Sequence, residues 1–284
     1  MNDIDLHLHS THSDGVLEPA ALVALLAAEG IAQFALTDHD TVSGLAAAAA
    51  AAVSHGLECI PGIELSARWH GGTVHIVGLG LDPDSPAIAT AVAIRAAIRR
   101  ERAAEIAARL ARAGAPGAAV AALVAGVGVP TRTHFARALV TLGVAGDVQQ
   151  AFERWLARGR PAYVAAAWPE LEATVSALAA AGGVAVLAHP LRYTLSGGQR
   201  RALAAAFRDA GGVALEVVTG GAAPQQLEAA TGLALRSGLE GSAGSDCHDP
   251  ALPWHRPGRL AKLPATVVPV WRRWDRRPNR TPSQ

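Results

Sequence analysis

Short apolar runs alternate along this chain with longer segments of helical periodicity, and nearly every short run ends near a histidine, an aspartate or a glutamate. The runs lie at residues 4–8, 32–36, 57–60, 73–81, 183–188, 212–218 and 239–245. The helical segments between them lie at 19–30, 41–55, 169–181, 198–210 and 224–237, with Glu18-Pro19 as a start signal and Gly30 and Gly56 as stops. Strands that alternate with helices build β-α units around a largely parallel sheet. Residues 85–168 break the rhythm: they read as helical, with no convincing strand. The layout expected is α/β, a seven-stranded (β/α) barrel over 1–84 and 169–270. It is interrupted by a helical insert over 85–168 and followed by a frayed basic tail over 271–284.

The first strand sets the chemistry. Asp5, His7 and His9 alternate with Ile4, Leu6 and Leu8, so His7 and His9 share one face, about 7 Å apart along the strand. Two imidazoles on one face of a strand end can hold one metal ion; the plain alternative is a polar strand end with two solvated histidines. Asp14 follows after a turn, close enough for the same site or a neighbouring one. Later runs end on or carry His39, Glu64, His75, His189, Asp246 and His248. Barrel enzymes collect their chemistry at the C-terminal rim of the strands, where these positions converge. Six of the 11 histidines fall in this set, which favours a site for several metal ions over scattered structural histidines.

Composition removes other classes. A formal net charge of +1 argues against a globally basic nucleic-acid binder. Two cysteines, Cys59 and Cys247, are too few for a disulfide framework and fit a reducing compartment. No signal-peptide pattern is visible, and no stretch holds the roughly 20 strongly apolar residues of a spanning helix. A cytoplasmic protein with no membrane association and no obligate protein partner is expected.

The segments Asp5-Leu-His-Leu-His-Ser, Ser13-Asp14-Gly15, Thr37-Asp38-His39-Asp40, Gly62-Ile63-Glu64, His75, Ala188-His189-Pro190 and Gly244-Ser245-Asp246-Cys247-His248 together resemble the motif series of the PHP (polymerase and histidinol phosphatase) family. The insert, with Arg99-Arg100-Glu101-Arg102 and Arg132-Thr133-His134, is similar to the branch of nucleoside 3′,5′-bisphosphate phosphatases and the 5′-end-trimming exonuclease RNase AM. The resemblance implies a distorted barrel holding three divalent metals, manganese before iron or zinc. His7, His9, Glu64 and Asp246 would hold the first, Glu64, His75 and His189 the second, and Asp14, His39 and His248 the third. A hydroxide bridging the metals is the implied nucleophile, and no general acid is named. The substrates implied are free nucleotides and short RNA 5′ ends. The alternatives are a small-metabolite phosphatase of histidinol-phosphate type, or a non-catalytic PHP module.

Imidazole and carboxylate donors suit manganese, iron or zinc, and Cys247 is expected to point away. In the insert, a helix over 94–113 places Arg95, Arg99 and Arg102 on one face. Such a face is either a solvated surface or, through arginine's planar fork, a phosphate clamp. The resemblance favours Arg99, Arg102 and His134 as clamps for a second phosphate, with Arg100 and Glu101 beside them. Arg192 and Tyr193 either approach the reacting phosphate or fix a loop. Asp38 and Asp40 either orient His39 or cap the next helix. Glu216 is either part of the site or a buried structural group.

Overall fold

The computed structural model describes residues 3–274. Seven strands follow one another around a single sheet: β1 (Ile4–Asp5), β2 (Gln33–Leu36), β3 (Glu58–Trp69), β4 (Gly72–Leu79), β5 (Val184–Leu187), β6 (Ala214–Thr219) and β7 (Glu240–Gly244). The Leu6 amide bonds to Ala243 O at 2.9 Å and the Asp246 amide to His7 O at 2.9 Å, which brings the last strand back beside the first. The outer helices are α1 (Pro19–Ala28) and α2 (Leu45–His55). The insert carries α3 (Pro86–Arg112), α4 (Gly117–Val124), α5 (Arg132–Thr141) and α6 (Val148–Ala151), the last running into a π-helical turn. The barrel resumes with α7 (Leu171–Ala180), α8 (Gly197–Asp209) and α9 (Pro224–Ser237). Among the described residues no helix is long and apolar enough to cross a membrane.

The β-α alternation expected from sequence holds except at one place. β3 does not stop at residue 60; it continues through Glu64 to Trp69 and turns at His70-Gly71 into β4, which pairs with it antiparallel. His70 (φ 46°) and Gly71 (φ 74°) are both left-handed, as a two-residue hairpin turn requires. Glu64 and His75 therefore sit inside strands rather than at strand ends. Strand pleating shows why both still reach the site. Ile60, Val77, Val186 and Ala214 share one apolar cluster with Ile4 and Leu6, forming the barrel floor. The same strand parity carried toward the rim gives Glu64 on β3, His75 on β4 and Glu216 on β6.

The insert has its own apolar cluster, with Ile106, Leu110, Val120, Phe135, Leu139 and Leu156 at its centre. It is tied to the barrel by polar contacts that sequence did not foretell. Arg95 and Arg99 are buried, and both face Asp40: Arg99 donates from Nε at 2.7 Å and from Nη2 at 2.6 Å, and Arg95 Nε lies 3.4 Å away. Arg95 also reaches Ser66 O and Thr174 Oγ1, and Arg99 reaches Pro130 O and Ser66 Oγ. The helix face was read correctly, but it points inward, where a guanidinium must be paired to be buried.

The start of the expected tail also differs. Residues 270–273 form a short 3-10 turn, Trp271 packs against the barrel core, and Trp274 lies on Gly80, where any Cβ would meet its indole nitrogen at 2.5 Å. The rest of the expected tail, 275–284, lies outside the described residues.

Two outcomes test this packing. Asp40→Ala strands two buried guanidiniums and should cost about 3–5 kcal/mol of stability in urea unfolding. Burial raises the Cys59 thiol to about 11 and the Cys247 thiol to about 12, Cys247 being packed with Leu8, Phe34 and Leu36. Neither is a thiolate near neutral pH, so alkylation at pH 8 should be slow until the protein is unfolded.

Candidate metal centre

The extended stretch after β1 delivers His7 and His9 with their Nε2 atoms only 3.1 Å apart, closer than strand spacing alone suggests, because both rings converge on one point. Asp246 and Glu64 meet them there. Asp246 Oδ1 lies 3.4 Å from His7 and 3.2 Å from His9, and Glu64 Oε2 lies 3.3 and 3.4 Å from the same two nitrogens. The other Glu64 oxygen is 2.9 Å from His75 Nδ1 and 3.2 Å from His189 Nε2. Asp14 Oδ1 lies 3.2 Å from His248 Nε2 and 3.8 Å from His39 Nε2. All nine side chains expected to ligate metals thus meet in one cluster.

The grouping by distance differs in detail from the motif-based one. His9 also lies with Asp14, His39 and His248, and His39 Nδ1 stands 2.8 Å from Glu64, beside His75. His9 and His39 are therefore placed between the groups rather than within a single one.

Turns at the strand ends aim several of these groups. His189 (φ 31°) and Asp246 (φ 55°) both occupy the left-handed region, a strained conformation for a residue with a side chain, and both are site residues. Gly244 permits the approach of β7 to β1: a Cβ there would fall 2.3 Å from His7 Cβ.

The electrostatics fit a cation-holding centre. Burial alone would raise the Glu64 carboxyl, but His39, His7 and His75 outweigh it and hold it well below its ordinary value. Asp246 and Asp14 are likewise held well below the carboxylate range against burial, chiefly by His7 and His248 for the first and by His248 and His39 for the second. Burial, then His248 and His39, lower His9 to about 3, so its ring is neutral with a free lone pair. Asp14 Oδ1, His39 Nδ1, Glu64 Oε2 and His189 Nδ1 are buried without an aligned hydrogen bond. Of these, Glu64 Oε2 and His39 Nδ1 face each other at 2.8 Å and Asp14 Oδ1 faces His248 and His39, an arrangement that bound metal ions would satisfy. The donor set is the imidazole-carboxylate kind that divalent metals take.

The groups around the cluster resolve the open readings. Glu216, which sequence left undecided, accepts from His7 Nδ1 through one oxygen and from the His189 amide at 2.7 Å through the other. It fixes the His7 ring so that Nε2 faces the cluster. Its place two residues rimward of Ala214 on an inward parity was the available signal. Asp38 neither orients His39 nor caps a helix: it accepts from Ser10 N, Ser10 Oγ and Ser13 Oγ, bracing the loop that carries Asp14. Asp40 is committed to Ser66 and the two buried arginines. Tyr193 fixes its loop, with its hydroxyl donating to Ala188 O and accepting from the His75 amide.

The expected substrate residues divide. Arg99 directs four of its five N–H donors to Asp40, Ser66 and Pro130, so most of its fork is engaged within the protein. Arg100 is exposed beside an apolar cleft between α3 and α4, with Ala103, Val124 and Phe135, and Glu101 is exposed without a described contact to the cluster. Arg102 is half-buried over Trp168 with Nε on Val164 O, and no carboxylate pairs with it among the described residues. Burial, then repulsion from Arg132 and Arg99, lowers it to about 9. Arg132 sits in the same cationic surroundings; the sequence placed it in the insert motif but gave it no role of its own. His134 uses Nδ1 to cap α5 at Thr131, and its ring also bonds to the Ser13 backbone and lies in the field of Asp14. Thr131 Oγ1 in turn donates to Asp14 Oδ2 at 2.8 Å, joining this helix start to the cluster. Arg192 grips Asp246 and donates to Gly220 O at 3.0 Å.

The comparisons bear on this geometry. The PHP domain model matches residues 5–113. A 5′-3′ exoribonuclease from Haemophilus influenzae is 40% identical over 95% of this chain and 98% of its own length. A 3′,5′-nucleoside bisphosphate phosphatase from Chromobacterium violaceum is 40% identical over 98% of both chains. The chain belongs to the PHP family. A solved structure from Bifidobacterium adolescentis, assigned as a metal-dependent phosphoesterase, superposes with a TM-score of 0.78 at 29% identity, over 94% of this chain and 92% of that one. The fold is thus the PHP-type barrel, and the protein is a phosphoesterase of that family with several candidate metal-holding groups.

Glu216→Gln keeps the shape but weakens the grip on His7. Metal content by atomic absorption and turnover should both fall by about 10- to 100-fold, and an unchanged metal content would remove Glu216 from the site.

Proposed function

We propose that this PHP protein removes the 3′-phosphate of nucleoside 3′,5′-bisphosphates, leaving the 5′-monophosphate, and trims short RNA from the 5′ end at the same centre. The observation that carries this reading is the nine-residue cluster together with Arg102 and Arg132, which have no carboxylate partner among the described residues, and with His134, which links this side to Asp14. A single-phosphate substrate needs no such second site, which disfavours a histidinol-phosphate type of reaction. The relatives' named activities on bisphosphates and RNA support the same choice. The complete ligand set argues against a non-catalytic module.

Three divalent metals, manganese before iron or zinc, are assigned to the three ligand sets expected from sequence, with His9 and His39 bordering neighbouring groups. Bound there, they would neutralise phosphoryl oxygens and bring a water's pKa toward neutrality. The chain's own residues do the rest. Glu216 and the barrel floor hold His7 and Glu64 in place, Arg192 holds Asp246, and Arg102, Arg132 and His134 seat the 5′-phosphate so that the 3′-phosphate lies on the cluster. The insert over 85–168 is thereby the substrate-binding part. Two free cysteines fit operation in the cytoplasm.

Phosphate release after manganese loading tests the reading. The panel is adenosine 3′,5′-bisphosphate, the 3′- and 5′-monophosphates, histidinol phosphate and a 5′-phosphorylated RNA. The bisphosphate should be preferred, and comparable kcat/KM on the 3′-monophosphate would refute the two-phosphate clamp. His9→Ala should lose metal and turnover together. Arg102→Ala should raise KM for the bisphosphate by roughly ten-fold or more, the worth of a hydrogen bond to a charged group, while kcat changes less.

A further inference from the structure

A bisphosphate and an RNA chain differ on one side of the reacting phosphorus. In both, water's oxygen joins phosphorus, the P–O3′ bond breaks and the 3′-oxygen takes a proton. In RNA the phosphate then stays on the 5′-oxygen of the next nucleotide. An enzyme that handles a chain needs a surface for that downstream nucleotide, away from the clamp that seats the 5′ end.

The insert meets the cluster through Asp14. A second polar route leaves it through Asp246, by way of Arg192 and Gly220. From there a cavity of about 210 Å3 runs from His189 and Arg192 to Trp254 and His255. It shares Gly220, Gly221 and Trp254 with a second cavity of about 220 Å3, which opens toward Arg256 and Arg259. Trp254 is 57% exposed, and it is the sole aromatic among the exposed large apolar side chains of the described residues. Its seat is well defined. Gly221, at φ 71°, would bring a Cβ within 3.0 Å of Trp254 Cβ, and a Cβ on Gly220 would fall 2.2 Å from Ser245 O and 3.0 Å from Trp254 O. The adjoining His255 holds Asp246 O at 3.0 Å, tying this turn to the metal centre. Of the two arginines at the far end, Arg256 is paired with Glu29, whereas Arg259 is exposed with no carboxylate partner among the described residues.

An exposed indole joined to a metal centre at one end and to an unpaired cation at the other has the chemistry of a single-stranded nucleic-acid track. We infer that Trp254 stacks on the base of the nucleotide immediately 3′ to the scissile phosphate of RNA, and that Arg259 meets the following phosphate. The inference rests on the RNA-trimming part of the proposed function and names the surface that activity uses.

The test compares manganese-loaded wild type, Trp254→Ala, Trp254→Phe and Arg259→Ala on a 5′-phosphorylated RNA trinucleotide and on adenosine 3′,5′-bisphosphate. In Trp254→Ala the ratio of kcat/KM for RNA to that for the bisphosphate should fall roughly ten-fold, the usual scale of one stacked base, and Phe should restore most of it. Fluorescence anisotropy of the same RNA, with a slowly cleaved phosphorothioate at its first linkage, gives a readout free of turnover. Arg259→Ala should reduce its salt slope by about 0.7, as loss of one phosphate contact predicts. A Trp254→Ala ratio equal to wild type overturns the inference while trimming itself stands, and so does an equal fall on both substrates, which would mark Trp254 as structural. Failure of the wild type to trim RNA at all overturns the underlying reading, and the inference with it.

Discussion

The carboxylate of Glu64 is the point on which this structure depends. It is fully buried on an inward parity of the barrel, and five imidazoles, from His7, His9, His39, His75 and His189, stand within 3.4 Å of it. A lone carboxylate there would be expensive, since burial disfavours its charge. The surrounding rings reverse that balance and, with Asp14 and Asp246, leave a ring of lone pairs that divalent cations satisfy. The apolar floor of Ile60, Val77 and Val186 beneath it keeps water from entering from below.

Holding so many polar groups together requires the fold to bend its own rules at the rim. Two site residues adopt left-handed backbone conformations, a glycine lets two strands approach, and Glu216 spends its carboxylate on orienting His7 and the His189 turn. The antiparallel β4 belongs with these devices. By running backwards from the hairpin it brings His75 in from the rim side, where a crossover helix and a parallel strand would have needed many more residues.

One helix of the insert carries arginines in two different surroundings. Arg95 and Arg99 lie where α3 crosses the barrel, and Asp40 consumes both, so they fasten the insert to the loop after β2. Arg102, about two turns beyond Arg95, has passed that carboxylate and meets Arg132 instead, and burial, then repulsion from Arg132 and Arg99, lowers its pKa. Insert docking and the proposed phosphate seat thus fall on neighbouring residues of the same type, and a phosphate bound at Arg102 would also steady the cationic surroundings that Arg99 helps create.

Residue order determined much of this by itself. Apolar periodicity marked the strands and helices, and the placement of His, Asp and Glu beside the apolar runs picked out all nine cluster residues, because both signals are local in the chain. Pairing is not local. The sequence shows that Arg95, Arg99 and Arg102 share a helix face, but whether that face meets water, phosphate or Asp40 depends on a carboxylate some sixty residues earlier in the chain. The antiparallel turn at His70-Gly71, the orienting role of Glu216, the lack of a carboxylate partner for Arg132 among the described residues and the placement of Trp254 beside the cluster were likewise decided only when distant segments packed. Charge and hydrogen-bond partners act over a few ångströms of space, and distance along the chain does not report them.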